Sequence, residues 1–209
     1  MKTYVVEFIG TFFLVLVVGL TVIDPGAGAL APLAIGSTLM VMVYAGGRIS
    51  GGHYNPAVTL AVWMRGKFDT KDVLPYMVAQ VLAGLLAASV VNFLKSRSIV
   101  IPSNPEVINA LLVEFLFTFA LAFVVLNTAT SRKSEGNSYY GLAIGFTLLA
   151  GAYAGGGISG GAYNPAVALG ITTMGLSSFG KIWIFLVGNF AGGASAALTY
   201  RMVNPEEYQ

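Results

Sequence analysis

This 209-residue chain has no cysteine, a single histidine and only 10% charged residues. The missing cysteine excludes disulfides, thiolate nucleophiles and cysteine-based metal sites, and it leaves the redox compartment open. A lone histidine with no evident nucleophile beside it argues against an enzyme, and no metal or other cofactor is expected. The scarcity of charge, against roughly 25% in soluble domains, excludes an ordinary water-soluble fold. A formal net charge of +2 is too small to suggest a nucleic-acid partner.

What the chain has in excess is hydrophobic side chain, 56% of residues, with a mean hydropathy of +0.77. Six apolar stretches, approximately 4–23, 30–47, 73–94, 107–128, 139–156 and 179–200, are each about long enough to cross a ~30 Å hydrocarbon core. Glycines soften the limits of the second and fifth. With the N-terminus inside, Lys2, Arg48, Arg65, Lys67, Lys71, Arg132, Lys133 and Arg201 fall on the inner side, and only Lys95, Arg97 and Lys181 fall outside. That bias satisfies the positive-inside rule, so both termini are expected in the cytoplasm of a cell bounded by a plasma (inner) membrane. The first stretch follows a lone Lys2, but its counterpart later in the chain marks it as a span rather than a cleaved leader.

The dominant feature is a repeat. Ile49-Ser-Gly-Gly-His-Tyr-Asn-Pro-Ala-Val58 returns as Ile158-Ser-Gly-Gly-Ala-Tyr-Asn-Pro-Ala-Val167, nine identities in ten at an offset of 109. Leu33-Ala-Ile-Gly36, Tyr44 and Gly84 return at the same offset, and Glu7-Phe8 with Thr11-Phe12 returns as Glu114-Phe115 with Thr118-Phe119 at an offset of 107. The halves, approximately 1–100 and 101–209, form one transmembrane domain, 1–209. Each holds three spans, and an odd number inverts the second half relative to the first, which places a functional site near the midplane. Asn is a favoured N-cap and Pro a favoured first helical residue, so Asn55-Pro56-Ala57 and Asn164-Pro165-Ala166 each predict a helix start. The apolar runs that follow are only about ten residues, roughly 15 Å or half the membrane core. Two half-helices entering from opposite faces would meet at their N-termini. The carbonyls of 49–54 and 158–163 would then offer acceptors to a passing solute, because non-helical backbone at that depth must be buried by protein or bathed by water.

A pair of Asn-Pro-Ala motifs, each opening a half-helix after Ser-Gly-Gly, resembles the aquaporin (major intrinsic protein) family, and the likeness covers nearly the whole chain. It implies an all-α membrane fold, a right-handed bundle built as an inverted repeat of six transmembrane helices and two re-entrant half-helices, with one pore per subunit in a homotetramer. By the same resemblance Asn55 and Asn164 are amide donors to the solute, and Glu7 and Glu114 hydrogen-bond the re-entrant loops. His53 sits near the pore mouth. The partially positive N-termini of the two half-helices would repel cations at mid-pore.

The departures lie in the outer constriction that the family builds from four positions. Counted from the two asparagines these are Ile35, Ala152, Gly161 and Val167, where water-selective members typically carry Phe, His, a small residue and Arg. Such a filter should be wide, apolar and poor at rejecting solutes larger than water. Glycerol-conducting members usually follow the Arg with Asp, whereas Val167 is followed by Ala168. Asn189 stands in the last span where relatives often have Pro. Arg48 or Lys181 could replace the missing donor only if the fold departs from the family, and Tyr44 and Tyr153 could refill the space. The sequence therefore points to a passive channel for water and small neutral solutes such as ammonia, urea, hydrogen peroxide or undissociated metalloid acids. A secondary transporter and a non-conducting membrane-adhesion protein remain the alternatives.

Overall fold

A computed structural model describes residues 1–208. Eight helices follow in order: α1 (Lys2–Val22), α2 (Ala31–Ser50), α3 (Pro56–Met64), α4 (Thr70–Leu94), α5 (Val107–Val125), α6 (Tyr140–Ser159), α7 (Pro165–Thr173) and α8 (Ile182–Val203). Six are long and apolar enough to cross a membrane. The other two, α3 and α7, have nine residues each, roughly 14 Å of helix. The fold is the all-helical inverted repeat expected from the sequence, with α1–α4 corresponding to α5–α8.

The pairing repeats as well. Helix α1 packs on α4 and α5 on α8, while α2 meets α6 across the two halves. Gly36 and Gly145 let α2 and α6 touch backbone to backbone: a Cβ built on Gly36 would lie 2.8 Å from the Gly145 carbonyl oxygen, and one on Gly145 would lie 2.6 Å from that of Gly36. Small residues serve this purpose in membranes, where close van der Waals packing replaces the hydrophobic drive. Gly84 on α4 and Gly193 on α8 each seat the opposite half's short helix. Their Cβ atoms would fall 2.7 Å from the Ala166 carbonyl and 2.5 Å from the Ala57 carbonyl, respectively.

The two softer spans run further than their composition suggests. Helices α2 and α6 continue to Ser50 and Ser159 and stop only at left-handed glycines, Gly51 (φ 90°) and Gly160 (φ 100°). The extended segment is therefore shorter than 49–54 and 158–163, because its first two residues are helical. At the other end of α5 the helix widens into a π-type turn over Leu126–Thr130. The chain termini lie at one end of the bundle together, since Tyr4 bonds Asp72 and Arg65 pairs with Glu207. That end is the terminal end of the bundle.

Candidate functional site

Each half-helix starts on a doubly used asparagine. Asn55 Oδ1 accepts from the backbone N–H groups of Ala57 (2.9 Å) and Val58 (3.4 Å), and Asn164 Oδ1 accepts from Ala166 (2.9 Å) and Val167 (3.4 Å). Such a cap stabilises a helix by about 1 kcal/mol. The amide nitrogens cross the repeat: Asn55 Nδ2 donates to the Tyr163 carbonyl (2.9 Å) and Asn164 Nδ2 to the Tyr54 carbonyl (2.8 Å). Because a primary amide carries two N–H groups, one remains on each asparagine for a solute. Pro56, Ala57, Pro165 and Ala166 are buried immediately behind them.

The loops that deliver these asparagines are strained in the same way, with Tyr54 and Tyr163 both at φ 48°. Their N–H groups point away from the pore into the protein. Glu7 accepts from the Ser50 hydroxyl (2.7 Å), the N–H groups of His53 (3.0 Å) and Tyr54 (2.7 Å), and Gln80 Nε2 (2.7 Å). Glu114 accepts from the Ser159 hydroxyl (2.7 Å) and the N–H groups of Ala162 (2.9 Å) and Tyr163 (2.7 Å). Both carboxyl groups are fully buried, and each satisfies loop donors that no membrane water could reach. With the N–H groups turned outward, the carbonyls of Gly51, Gly52 and His53, and of Gly160, Gly161 and Ala162, have no protein donor among the described residues. In the first loop the free carbonyl ladder thus comprises three residues, since Ser50 and Tyr54 have their oxygens taken; in the second the Tyr163 oxygen is taken, but Phe185 stands at the repeat position of Tyr76 and gives the Ser159 oxygen no matching donor.

A cavity of about 380 Å³ runs from these asparagines toward the end opposite the termini, and Ile35, Ala152, Gly161 and Val167 all line it. Its wall obeys the repeat: Leu14 with Leu121, Val18 with Val125, Ile35 with Ile144, Leu39 with Leu148 and Val58 with Val167 face the same space. Among the described residues no Asp, Glu, Lys or Arg lines it, and its polar side chains are His53, Asn55, Ser103 and Asn164. Lys181 instead lies with its Nζ 3.5 Å from the Pro105 carbonyl, and Arg48 lines a separate cavity at the terminal end, so neither stands in the constriction. Tyr44 and Tyr153 bond Ser138 and Ala29 and leave the cavity unfilled.

His53 is buried, with Nδ1 3.1 Å from the Thr59 hydroxyl and its ring tilted against Phe68 and Tyr76. Among the described residues no group of three or more His, Asp or Glu could hold a metal. Asn189, the departure noted in the last span, is buried and accepts from Thr118 (3.0 Å). It occupies the repeat position of Gln80, a residue the sequence reading passed over although both are mid-span amides at the 109 offset. Also passed over was the ring of contacts around Arg65. Its guanidinium lies 4.8 Å from the centres of both the Tyr200 and Tyr208 rings and bonds Glu207 at 2.8 Å.

A profile of the Major intrinsic protein family matches residues 1–200. Nodulin-26 of Glycine max is 34% identical over 214 residues, covering 97% of this chain and 78% of its own length. Aquaporin NIP1-2 of Arabidopsis thaliana is 35% identical, covering 94% and 72%. Glycerol uptake facilitator protein-like 6 of Lactiplantibacillus plantarum is 33% identical, covering 99% of this chain and 100% of that protein. The X-ray structure of the aquaglyceroporin from Plasmodium falciparum superposes with a TM-score of 0.80 at 21% identity, over 99% of this chain and 98% of that one, and so shares the fold.

Proposed function

The chain belongs to the major intrinsic protein family, and on that premise we propose that it is a passive channel whose apolar outer section admits small neutral solutes as well as water. Members of the family are channels for water and small solutes, and this protein is a multi-pass membrane channel rather than an enzyme. The observation that carries the finer reading is the wall of the cavity, where Ile35, Ala152, Gly161 and Val167 present neither charge nor side-chain hydrogen-bonding group.

Selectivity in such a pore depends on its width and on the donors and acceptors lining it. An ion entering a section without fixed charge loses hydration that nothing replaces, and that penalty is far larger than for a neutral polar molecule. A neutral solute gives up fewer, weaker hydrogen bonds and regains several at mid-pore: one N–H from each of Asn55 and Asn164, and the free carbonyls of 51–53 and 160–162. The half-helix N-termini add positive potential there. In this reading Ile35, Ala152, Gly161 and Val167 form the filter, Glu7 and Glu114 hold the loops, and His53 faces the inner mouth. Ammonia, urea, hydrogen peroxide and undissociated metalloid acids are the solutes of matching chemistry. The subunits assemble as a homotetramer in the plasma (inner) membrane, with the terminal end cytoplasmic.

A cavity without an ionisable cluster gives a coupling ion nowhere to bind, which disfavours a secondary transporter. Stopped-flow measurements on proteoliposomes with water, ammonia, urea and glycerol test the proposal. Water and urea should both pass without saturation and with low activation energy. Saturable, gradient-coupled uptake would overturn it, and sealed vesicles would favour an adhesion role.

A further inference from the structure

Between the mid-pore asparagines and the opening at the far end, the cavity wall is almost wholly aliphatic, with Val22, Ala31, Pro32, Ile35, Ile101 and Val167 facing it. His53 lies on the inner side of the asparagines. Among the described residues Ser103, in the connection between α4 and α5, is therefore the one side chain on the outer wall that can donate a hydrogen bond.

Its position is fixed by backbone rather than left to a loose loop. The Ser103 N–H donates to the Leu176 carbonyl at 2.9 Å, and the two segments form a parallel bridge between Ser103 and Ser177. Leu176 also lines the cavity, and its own N–H returns to the Ile171 carbonyl of α7 at 2.9 Å. The connection is thus tied to the half-helix that carries Val167. The Ser103 hydroxyl lies 3.9 Å from where a Cβ on Gly160 would stand, beside the first of the three free carbonyls at 160–162. Among the described residues no protein hydrogen bond occupies that hydroxyl.

We propose that the Ser103 hydroxyl is a specificity-determining group of the outer pore, supplying there the side-chain hydrogen bond that Val167 does not. The proposal rests on the channel reading above and deepens it by solute class. The outer row of carbonyls accepts hydrogen bonds but cannot donate them, so a solute with a carbonyl oxygen finds one donor on this wall, at Ser103. Urea, which carries both N–H groups and a carbonyl, can use the hydroxyl and the carbonyl row at once. Water can turn to use carbonyls alone and depends on Ser103 less.

The test measures urea and water permeability of proteoliposomes containing the full chain, its Ser103→Ala variant and its Ser103→Thr variant, at matched protein content. Removing one net hydrogen bond should lower the urea-to-water permeability ratio roughly three- to ten-fold in Ser103→Ala, and Ser103→Thr, which keeps the hydroxyl, should restore it. A ratio unchanged in Ser103→Ala overturns the assignment. So does a parallel fall of both permeabilities in both variants, which marks a residue that merely holds the loop. A wild-type protein passing neither solute would overturn the channel reading along with this one, whereas a conducting wild type with an unchanged ratio removes only the role of Ser103.

Discussion

The carboxyl groups of Glu7 and Glu114 stand in for water toward two backbones that cannot reach any. Replacing Glu114 by Gln halves its acceptor capacity: the amide oxygen can serve either Ala162 or Tyr163, and the amide nitrogen then faces the other N–H. An orphaned buried donor costs about 1–3 kcal/mol, so Glu114→Gln should lower thermal stability in detergent, and Glu114→Leu should lower it further. An unchanged melting temperature in Glu114→Gln would show that the carboxyl is not the acceptor these loops rely on. Both glutamates were legible in the sequence because charge is rare in an apolar span and each has a partner in the other half. Gln80 carried the same signal through Asn189 but is uncharged, and a neutral amide in a span attracts less notice although it too must find partners. The pairing of Arg65 with Glu207 had no local signal, since the two are 142 residues apart.

Among the elements, the short helices α3 and α7 were the most readable, because Asn-Pro encodes a start and the following apolar run is too short to cross. The ends of α2 and α6 were not. Glycine-rich composition suggested an early stop, yet tertiary packing extends both helices to the serines that bond Glu7 and Glu114. The final element, the turn Pro205–Tyr208, was equally hidden, and it acts as a clasp: Glu207 accepts from the Ser131 hydroxyl (2.7 Å) and the Arg132 N–H (2.9 Å) while pairing with Arg65. The Ser131 hydrogen bond foremost, then the Arg132 N–H and the nearby guanidinium groups, hold the Glu207 carboxyl below its ordinary range. A carboxyl depressed on folding stabilises the closed form above its unfolded pKa and loses that contribution as the pH falls through the folded value, which lies below the ordinary carboxylate range. With no native cysteine in the chain, a spin label on Glu206→Cys reports the clasp alone. The label should become mobile on acidification, and at neutral pH when Glu207→Gln is added. A label that stays immobile in the double variant would rule out Glu207 as the closing contact.

On the scale of the whole molecule, the inverted repeat makes one pore from two copies of the same wall, and this explains why so much of the pore was readable from a ten-residue motif. Its dimensions were not, because they depend on where Tyr44 and Tyr153 turn, and both turn to carbonyls outside the cavity. The space next to Ile35, Ala152 and Val167 is therefore left to the solute, and cations are opposed there by the desolvation cost of an uncharged wall and by the half-helix N-termini rather than by a fixed positive side chain. Ile35→Phe, Ala152→His and Val167→Arg together should restore bulk, two donors and a positive charge at one level of the pore. A narrower ring rejects large solutes first, so urea permeability should fall roughly ten-fold or more while water permeability falls less. Equal loss of both, or no change in either, would mean that these three positions do not set the constriction. The same variant also reports on charge when cation leak is compared with water flow. If the parent leaks protons or small cations down an imposed gradient, the added arginine should reduce that leak by more than it reduces water flow, since repulsion acts on charge and the wall acts on size. A leak that survives the triple substitution would place the cation path elsewhere in the protein, outside the column shared by Asn55, Asn164 and Val167.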